Sequence, residues 1–558
     1  MCYNSNKLYD LVNASMIKQF TITPPQVLRF LLLAVIFFYI FFLVSHSFDF
    51  DLGWHLRFGK EMWEEHRFPY YDTYTWPHYG QKWVNHEWGG DALLWLLYSQ
   101  FGYIALMILM SFAVWGSLIL VQRIFFPRIS TLGLVVGLFA AWSVKHIMVM
   151  RLALLGPIFL VALWYTLERL PDKKRYYAWP VILWLWSILH GSWILGFIVI
   201  NIYIFGNLAQ RLLQQYTTLP FPKEAWPLPL IFRAIVWQLV AAAVITLNPY
   251  GVAIWKEILH YFSASYFKAW ITEWLPTYTP PIFWNSLPIV GFGLFALIVA
   301  WRKKALTLAQ LLLGIAFFIS ALQYKRNILF FALISIPLLT AGLHYIIQAL
   351  RQTTWWQKFF TDARLRGFFY AYGIAATLLL LVFYTTQLPP KRDIWEQPSL
   401  LEEHYMPVAA TEFLKTRTRD QNIYLFNYFS WGGYLIWELP EALIFLDGRG
   451  TVTWQVPETQ ENSLAYYSAI LTEPEGLRKL EQGPTNYILL KKENYFILPP
   501  LSSFDRLVFT DDHPPTVYRP LASQIFADLS ASKNWIQVYS DDRAAIWERV
   551  ATSTTRQD

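Results

Sequence analysis

Hydrophobic residues in this chain come in long blocks, not in the alternation of a half-buried sheet or the one-sided stripe of a surface helix. A helix needs about 20 mostly apolar residues to cross roughly 30 Å of bilayer hydrocarbon. Eleven blocks approach that length: 27–44, 103–121, 132–149, 152–167, 178–189, 193–208, 230–247, 284–300, 306–322, 328–347 and 368–386. The block at 178–189 is short, and the third and fourth blocks nearly touch, with Arg151 at the turn between them. The pattern predicts a mainly α, polytopic membrane domain of about 11 spans over residues 1–387. Two polar connections are long. The one at 45–102 is rich in Trp, His, Asp and Glu and holds a short helix at 91–98. The one at 248–283 contains an apolar stretch with polar interruptions at 252–262, which reads as a helix lying on the membrane surface.

After the last block, Gln387-Leu-Pro-Pro-Lys-Arg reads as a linker. Residues 388–558 then change character. Strand-like runs at 423–426, 442–446, 487–490, 535–539 and 544–547 alternate with helix-like runs at 408–414 and 474–480. This predicts a small α/β domain. Its last two strands meet at Ser540-Asp541-Asp542-Arg543, a hairpin turn by residue type. Trp431-Gly432-Gly433-Tyr434 is too short and aromatic for a phosphate-binding loop.

Composition agrees with a membrane protein. Of 558 residues, 55% are hydrophobic and only 15% charged, against roughly 25% charged in soluble domains. Aromatics reach 18%, which suits two membrane–water interfaces. A single cysteine, Cys2, rules out an intrachain disulfide or a cysteine metal cluster. The net charge of +7 suggests a nucleic-acid partner until the charges are located. Residues 388–558 hold 16 Lys/Arg and 23 Asp/Glu, so the basic excess lies wholly in the apolar part, mostly in short connections. That distribution encodes topology and offers no folded basic face for nucleic acid. With the N-terminus in the cytoplasm, inner connections and span ends carry 19 basic residues and outer ones 10. The expected arrangement is a multi-pass protein of the inner or plasma membrane, with a cytoplasmic N-terminus and an extracytoplasmic C-terminal domain. Residues 1–25 lack the features of a cleaved secretory signal, so the first span is expected to remain as an anchor.

Candidate chemistry clusters on the outer side. Directly after the first span stands Ser47-Phe-Asp49-Phe-Asp51-Leu-Gly-Trp54-His55-Leu-Arg57. Ionisable groups at that depth cost free energy unless paired, solvated or metal-bound. Two carboxylates one residue apart can hold Mg²⁺ or Mn²⁺ through oxygen ligands, or one can act as a general base. The alternative is that the pair only ends the span and caps the next helix. Further on, His86 and Glu87 are adjacent and cannot share a helix face, so they are not a two-ligand metal helix; either can contact a metal or a sugar, or simply form the turn before the helix. His146, Arg151, His190, Glu273 and Lys325-Arg326-Asn327 fall at outer span ends. Arginines there can grip a phosphate in bidentate fashion; each alone is more often a snorkelling or helix-end residue, and their value is collective. Arg67 to Tyr74 reads as a packed turn, and Asp447-Gly448-Arg449 as a βα turn whose Asp447 and Arg449 can also pair or reach the membrane site from above.

The arrangement resembles the type-C (GT-C) glycosyltransferase superfamily, and more closely a group of poorly characterised bacterial glycosyltransferase-like membrane proteins. The pattern of that group runs Asp-Pro-Asp-Leu-Trp-Trp-His-Leu, then Pro-x-x-Asp, then His-Glu-Trp. It is matched here by Asp49, Asp51, Leu52, Trp54, His55 and Leu56; by Pro69 and Asp72; and by His86, Glu87 and Trp88. Further matches are His190-Gly191, Asn248-Pro249-Tyr250-Gly251, Glu273-Trp274, Arg326, Trp431-Gly432-Gly433-Tyr434 and Asp447-Gly448-Arg449. The chain departs from the pattern at Phe50, where Pro is usual, and at Gly53, where the first Trp is usual. It departs again at Arg151-Leu152-Ala153 for Arg-Pro-Gln and Lys325-Arg326-Asn327 for Arg-Arg-His.

The resemblance implies transfer of a sugar from a polyprenyl-phosphate-linked donor to an acceptor outside the cytoplasm. Asp49 and Asp51 would be the catalytic or metal-binding carboxylates, with Glu87 or Glu273 as the alternative base. Trp54, His55, Arg57, His86, Glu87, Arg151, His190, Glu273 and Arg326 would contact substrate, with Arg326, Arg151 or Arg57 on the phosphate. The rival classes are a transporter or flippase of lipid-linked saccharides, a polysaccharide polymerase or ligase, and a non-catalytic relative. A transporter would show an internal repeat and interrupted spans; a polymerase or ligase would load a central outer loop in place of the first.

Overall fold

The structure, a computed structural model, describes residues 23–217, 221–264, 266, 268, 271–279, 282–360, 363–388, 403–417, 421–492 and 523–550. Among these, eight helices are long and apolar enough to cross a membrane, and three shorter apolar helices stand where the remaining blocks were expected. The chain is a polytopic, mainly α protein with a small mixed sheet near its C-terminal end.

The helices that position the site can be named in order: α1 Pro24–Ser45, α2 Leu52–Trp63, α3 Trp88–Phe101, α4 Tyr103–Phe125, α5 Thr131–Ser143, α6 Gly156–Arg169 and α7 Ala178–Leu189. Then come α8 Ile194–Tyr216, α9 Leu228–Ile245, α10 Ala253–Ser263, α11 Leu287–Arg302, α12 Leu308–Gln323, α13 Ile328–Arg351 and α14 Ala363–Thr386. Local sequence sets the boundaries. α1 opens on two prolines, which supply the fixed φ of a first turn and lose no needed donor. α12 opens with a reciprocal Thr307–Gln310 capping box. Apolar side chains such as Phe232, Leu239, Phe292, Phe295, Leu379 and Phe383 are turned outward. An outward apolar band is stable against lipid and costly against water.

The third expected span is a correction. Its helix stops at Ser143 instead of running to 149, because Lys145 and His146 interrupt the apolar run. The chain returns through an extended Arg151 (φ −149°, ψ 158°) and a 3₁₀ turn into α6. The segment 144–151 is therefore a loop that delivers Arg151 to one end of the bundle. The surface helix expected at 252–262 is α10, and the helix expected at 91–98 is the longer α3.

The C-terminal part adds α15 Val408–Arg417, β1 Tyr424–Asn427, α16 Gly432–Glu438, β2 Leu443–Ile444, α17 Ser463–Thr472, α18 Gly476–Glu481, β3 Tyr487–Lys491, α19 Ser523–Ala531, β4 Trp535–Ser540 and β5 Ala544–Arg549. The sheet order is β2-β1-β3-β5-β4; β1 runs parallel to both neighbours and β5 antiparallel to both of its own. All five strand runs are present within a few residues, though β2 shrinks to two. The 540–543 turn closes the β4–β5 hairpin. The pattern misses α16, α17 and α19. The linker from residue 389 onward lies outside the described residues, as do Lys7 and Lys18.

The long first connection does not stand apart from this sheet. Phe48, Trp54, Phe58, Tyr74 and Trp83 share one apolar core with Leu425, Trp431, Leu435, Ile444 and Leu489. The backbone of Tyr74–Trp76 pairs with Ile444 at the sheet edge (2.9 Å in each direction). α2 packs on α16 so closely that a Cβ on Gly53 would lie 2.2 Å from the Gly433 carbonyl oxygen. Position 53 therefore has no room for any side chain.

Candidate active site

The site is assembled from α2, the ends of α1, α3, α5–α7 and α12–α13 and the 3₁₀ turn Thr272–Trp274, with the sheet's connecting loops packed over Asp51. α1 gives way to His46-Ser47, and the chain turns through residues 48–51 into α2. The Asp51 N–H donates to Asp49 Oδ1 (3.3 Å). Asp51 stands at the N-cap position of α2, yet neither carboxylate caps that helix through its side chain. The capping alternative is therefore not what holds them. Asp49 is buried and feels Arg151 and His55. Burial raises its carboxyl above the ordinary range against the pull of those two cations. Burial and the neighbouring Asp49 push Asp51 to about 7.

Asp51 is roofed by the C-terminal part. A Cβ on Gly448 would sit 1.9 Å from Asp51 Oδ1, so only glycine allows this approach. The glycine is held by its neighbours. Arg449 has no exposed side-chain surface and bridges Asp447 (Nε–Oδ1 and Nη2–Oδ2, 2.8 and 2.7 Å) and Asp72 (Nη2–Oδ1, 2.8 Å). Its guanidinium also lies over Trp83 and Phe58. The Asp447-Gly-Arg449 turn is thus a locked contact between the sheet and the first connection.

Beside the doublet is a basic cluster. Arg151 Nη1 donates to Glu273 Oε2, and Arg326 Nη1 to Glu273 Oε1 at 3.2 Å. Burial pushes Glu273 up, but the two guanidiniums outweigh it and hold the carboxyl below its usual range. Arg326 stacks over Trp274, 4.5 Å from the ring centre. Arg151 Nε is buried without a hydrogen-bond partner among the described residues, a donor available to an anion.

A histidine cluster completes the site. Asp91, on α3, accepts from His55 Nδ1 (2.5 Å) and from Asn85 Nδ2 (2.6 Å). The approach needs Gly59: a Cβ there would lie 2.3 Å from the Asp91 carbonyl oxygen, so a larger residue would push α2 off α3. His55 Nε2 lies 3.7 Å from Glu87 Oε2. Glu87 Oε1 faces His86 Nε2 (3.6 Å), His190 Nε2 (3.5 Å) and the Gly191 N–H (3.4 Å). Burial opposes protonation of His55, but Asp91, Glu87 and Asp49 outweigh it and raise its imidazole to about 9. Burial lifts Glu87 to about 7 and lowers His86 to about 4. Burial also drives His190 well down, helped by Arg326 and His86.

Of the residues singled out in the sequence, Asp49, Asp51, His55, His86, Glu87, Arg151, His190, Glu273 and Arg326 come together. Trp54 stacks on His55 and belongs to the apolar core under the sheet. Arg57 is elsewhere. It bonds Tyr74 and Glu61 and pairs with Glu65, because a residue two positions after His55 points to another side of the helix. His146 bonds Asn285 and stacks on Phe283. Asp447 and Arg449 pair, as one reading of that turn expects, and the turn reaches Asp51 through Gly448; Asp91 and Asn85 are not anticipated, and the one available signal for Asp91 is a lone acid in an otherwise apolar helix.

Among the described residues no group of three His, Cys, Asp or Glu side chains is arranged to hold a metal ion. The Asp49–Asp51 pair still suits the mode in which Mg²⁺ takes one or two carboxylates and completes its shell with water and phosphate oxygens. Two open hollows, of about 490 and 560 Å³, lie outside the cluster. One is lined by residues such as Lys82, His260 and Trp454, the other by Trp76, Tyr79 and Asn422.

No family model and no curated protein matches this chain. Twelve chains of solved structures match. Among them is the oligosaccharyltransferase of Archaeoglobus fulgidus, crystallised in complex with Zn and sulfate, with a TM-score of 0.48 and 12% identity over 88% of this chain and 75% of that one.

Proposed function

We propose that this protein is an integral membrane glycosyltransferase that moves a sugar from a polyprenyl-phosphate donor to an extracytoplasmic lipid, glycan or protein acceptor. It would lie in the inner or plasma membrane with its N-terminus in the cytoplasm and its C-terminal domain outside. The reading rests on one observation: an acidic doublet and a paired-arginine cluster share one end of a bundle of membrane-length helices.

Each part has a task in such a reaction. The acceptor oxygen attacks the anomeric carbon, and the bond from that carbon to the phosphate oxygen breaks with its electrons going to the phosphate. Negative charge grows on the leaving group, so cations fixed nearby lower the barrier. Arg151 and Arg326 stand ready for it, and Glu273 holds them without serving as a base, being committed to both. Asp49 and Asp51 orient the acceptor or take its proton. Mg²⁺ or Mn²⁺, held by the same two carboxylates, would add positive charge at the phosphate when bound. The apolar tail of the donor would run down the bundle's lipid-facing side.

The test uses membranes containing the full chain and synthetic polyprenyl-phosphate-linked sugars. Release of polyprenyl phosphate with transfer of the sugar is expected; membranes in which the chain is present and neither product forms with any donor of the class would overturn the reading.

A further inference from the structure

Asp91, His55 and Glu87 form a continuous line whose two ends differ in access. The Asp91 side chain is 0% exposed and His55 5%, whereas Glu87 keeps 13% and His86 20%. Asp91 is anchored by Asn85 and binds the Nδ1 side of His55, so the Nε2 edge of that ring faces Glu87. On the far side, the Ser192 N–H donates to His190 Nδ1 (3.1 Å). The neutral His190 ring therefore carries its proton on Nε2, the atom 3.5 Å from Glu87 Oε1. That tautomer turns a protonated Nε2 toward the carboxylate at 3.5 Å and argues against its serving as a metal ligand there. Glu87 is thus held in place by groups that do not consume it as strongly as the two arginines consume Glu273. The titratable and charged groups around it are His55 from α2, His86 and Asp91 from its own segment, Asp51, His190, and Tyr261 from α10.

We propose that Glu87 accepts the proton of the acceptor in the transfer step, and that Asp91 and His55 are the positioning residues that aim and hold it. The inference rests on the transferase reading and decides a choice that reading leaves open, between the aspartate doublet and another carboxylate. The acceptor O–H proton passes to Glu87 as the new bond to the anomeric carbon forms, and the polyprenyl phosphate departs with the electron pair of the broken bond. Glu87, which keeps 13% of its side chain exposed, then returns its proton to water. The Asp49–Asp51 pair is left to orient the acceptor. A carboxyl that titrates near neutrality suits a base at physiological pH, and such catalysis is worth about 10²–10⁴-fold in rate.

Two measurements on the full chain in lipid nanodiscs test this. The first needs no substrate: infrared titration with ¹³C-labelled glutamate. A protonated-carboxyl band should grow as pH falls through about 7, with Glu87 and the buried Glu257 both contributing; it should lose the Glu87 part in Glu87→Gln, and that part should move to higher pH in His55→Gln, which removes a cation. The second follows transfer from a synthetic polyprenyl-phosphate glucose against pH. Glu87→Gln should lose about 10²-fold or more, together with the acidic limb of the profile, and Asp91→Asn should alter the profile while leaving KM for the donor near that of wild type. A band indifferent to Glu87→Gln, or a Glu87→Gln enzyme with wild-type rate and pH profile, overturns the relay. A wild type that shows the titrating band and the His55→Gln shift but no transfer overturns the transferase reading and not the relay geometry.

Discussion

Gly448, in the loop after β2, lies directly against the carboxylate of Asp51, nearly 400 residues earlier in the chain; a Cβ at Gly448 would come within 1.9 Å of Asp51 Oδ1. Asp51 is therefore positioned as much by the C-terminal part as by its own helix. Gly448→Ala should displace one or the other. Overpacking of this kind costs typically about 1–3 kcal/mol. A lowered unfolding temperature in detergent and a loss of transfer are expected; wild-type behaviour in both would show that the contact is soft.

Arg449 is buried between Asp72 and Asp447 with no exposed side-chain surface. Removing one partner of a buried ion pair strands the others, at about 3–5 kcal/mol. Arg449→Met should therefore destabilise the chain more than any surface arginine substitution. Thermal unfolding and protease sensitivity of the C-terminal part report it. Replacing Arg449 together with Asp72→Asn and Asp447→Asn should recover part of the loss, and no recovery would place the cost in packing on Trp83 and Phe58.

The arginine cluster makes a prediction about binding. Arg151 and Arg326 share Glu273, and the buried Arg151 Nε has no hydrogen-bond partner among the described residues. Arg151→Lys keeps the charge and loses the planar fork. Affinity for a short-chain prenyl phosphate, read by native mass spectrometry, should fall in Arg151→Lys and Arg326→Lys. It should stay at the wild-type level in Arg57→Lys, since Arg57 serves Glu61, Glu65 and Tyr74. Equal losses in all three would contradict the placement of the phosphate.

The pH dependence of stability has a definite sign. The His55 pKa is raised from 6.5 to about 9, so its contribution is fully present below 6.5 and is lost as pH rises through 9. Glu87 and Asp51, both lifted to about 7, act in the same direction between their ordinary values and 7, because the folded chain binds more protons than the unfolded one. Unfolding temperature in detergent should decline from pH 6.5 to 9.5, and decline less in His55→Gln. A rise over that window would show that His55 is not held between carboxylates.

Much of this molecule can be read from its residues, for reasons that also mark where reading stops. The spans are legible because a run of apolar residues needs no partner to be recognised; the exception, 132–149, fails where Lys145 and His146 end the helix early. Asp49 and Asp51 are conspicuous because charge at a span end is costly. Asp91 is not, since what gives it meaning is His55, 36 positions away on a different helix. Arg57 shows the opposite error: membership of a motif says nothing about which side of a helix a residue occupies. The roof over Asp51 depends on the sheet docking on the first connection, and a glycine in a turn carries no sign of what lies above it.

The account turns on the acidic doublet. The most direct measurement is transfer from polyprenyl-phosphate-linked sugar in membranes carrying Asp49→Asn or Asp51→Asn at wild-type expression. Loss of transfer in each, with the acidic limb of the pH profile retained in whatever rate remains, is the expected result. Full transfer in both variants would contradict it.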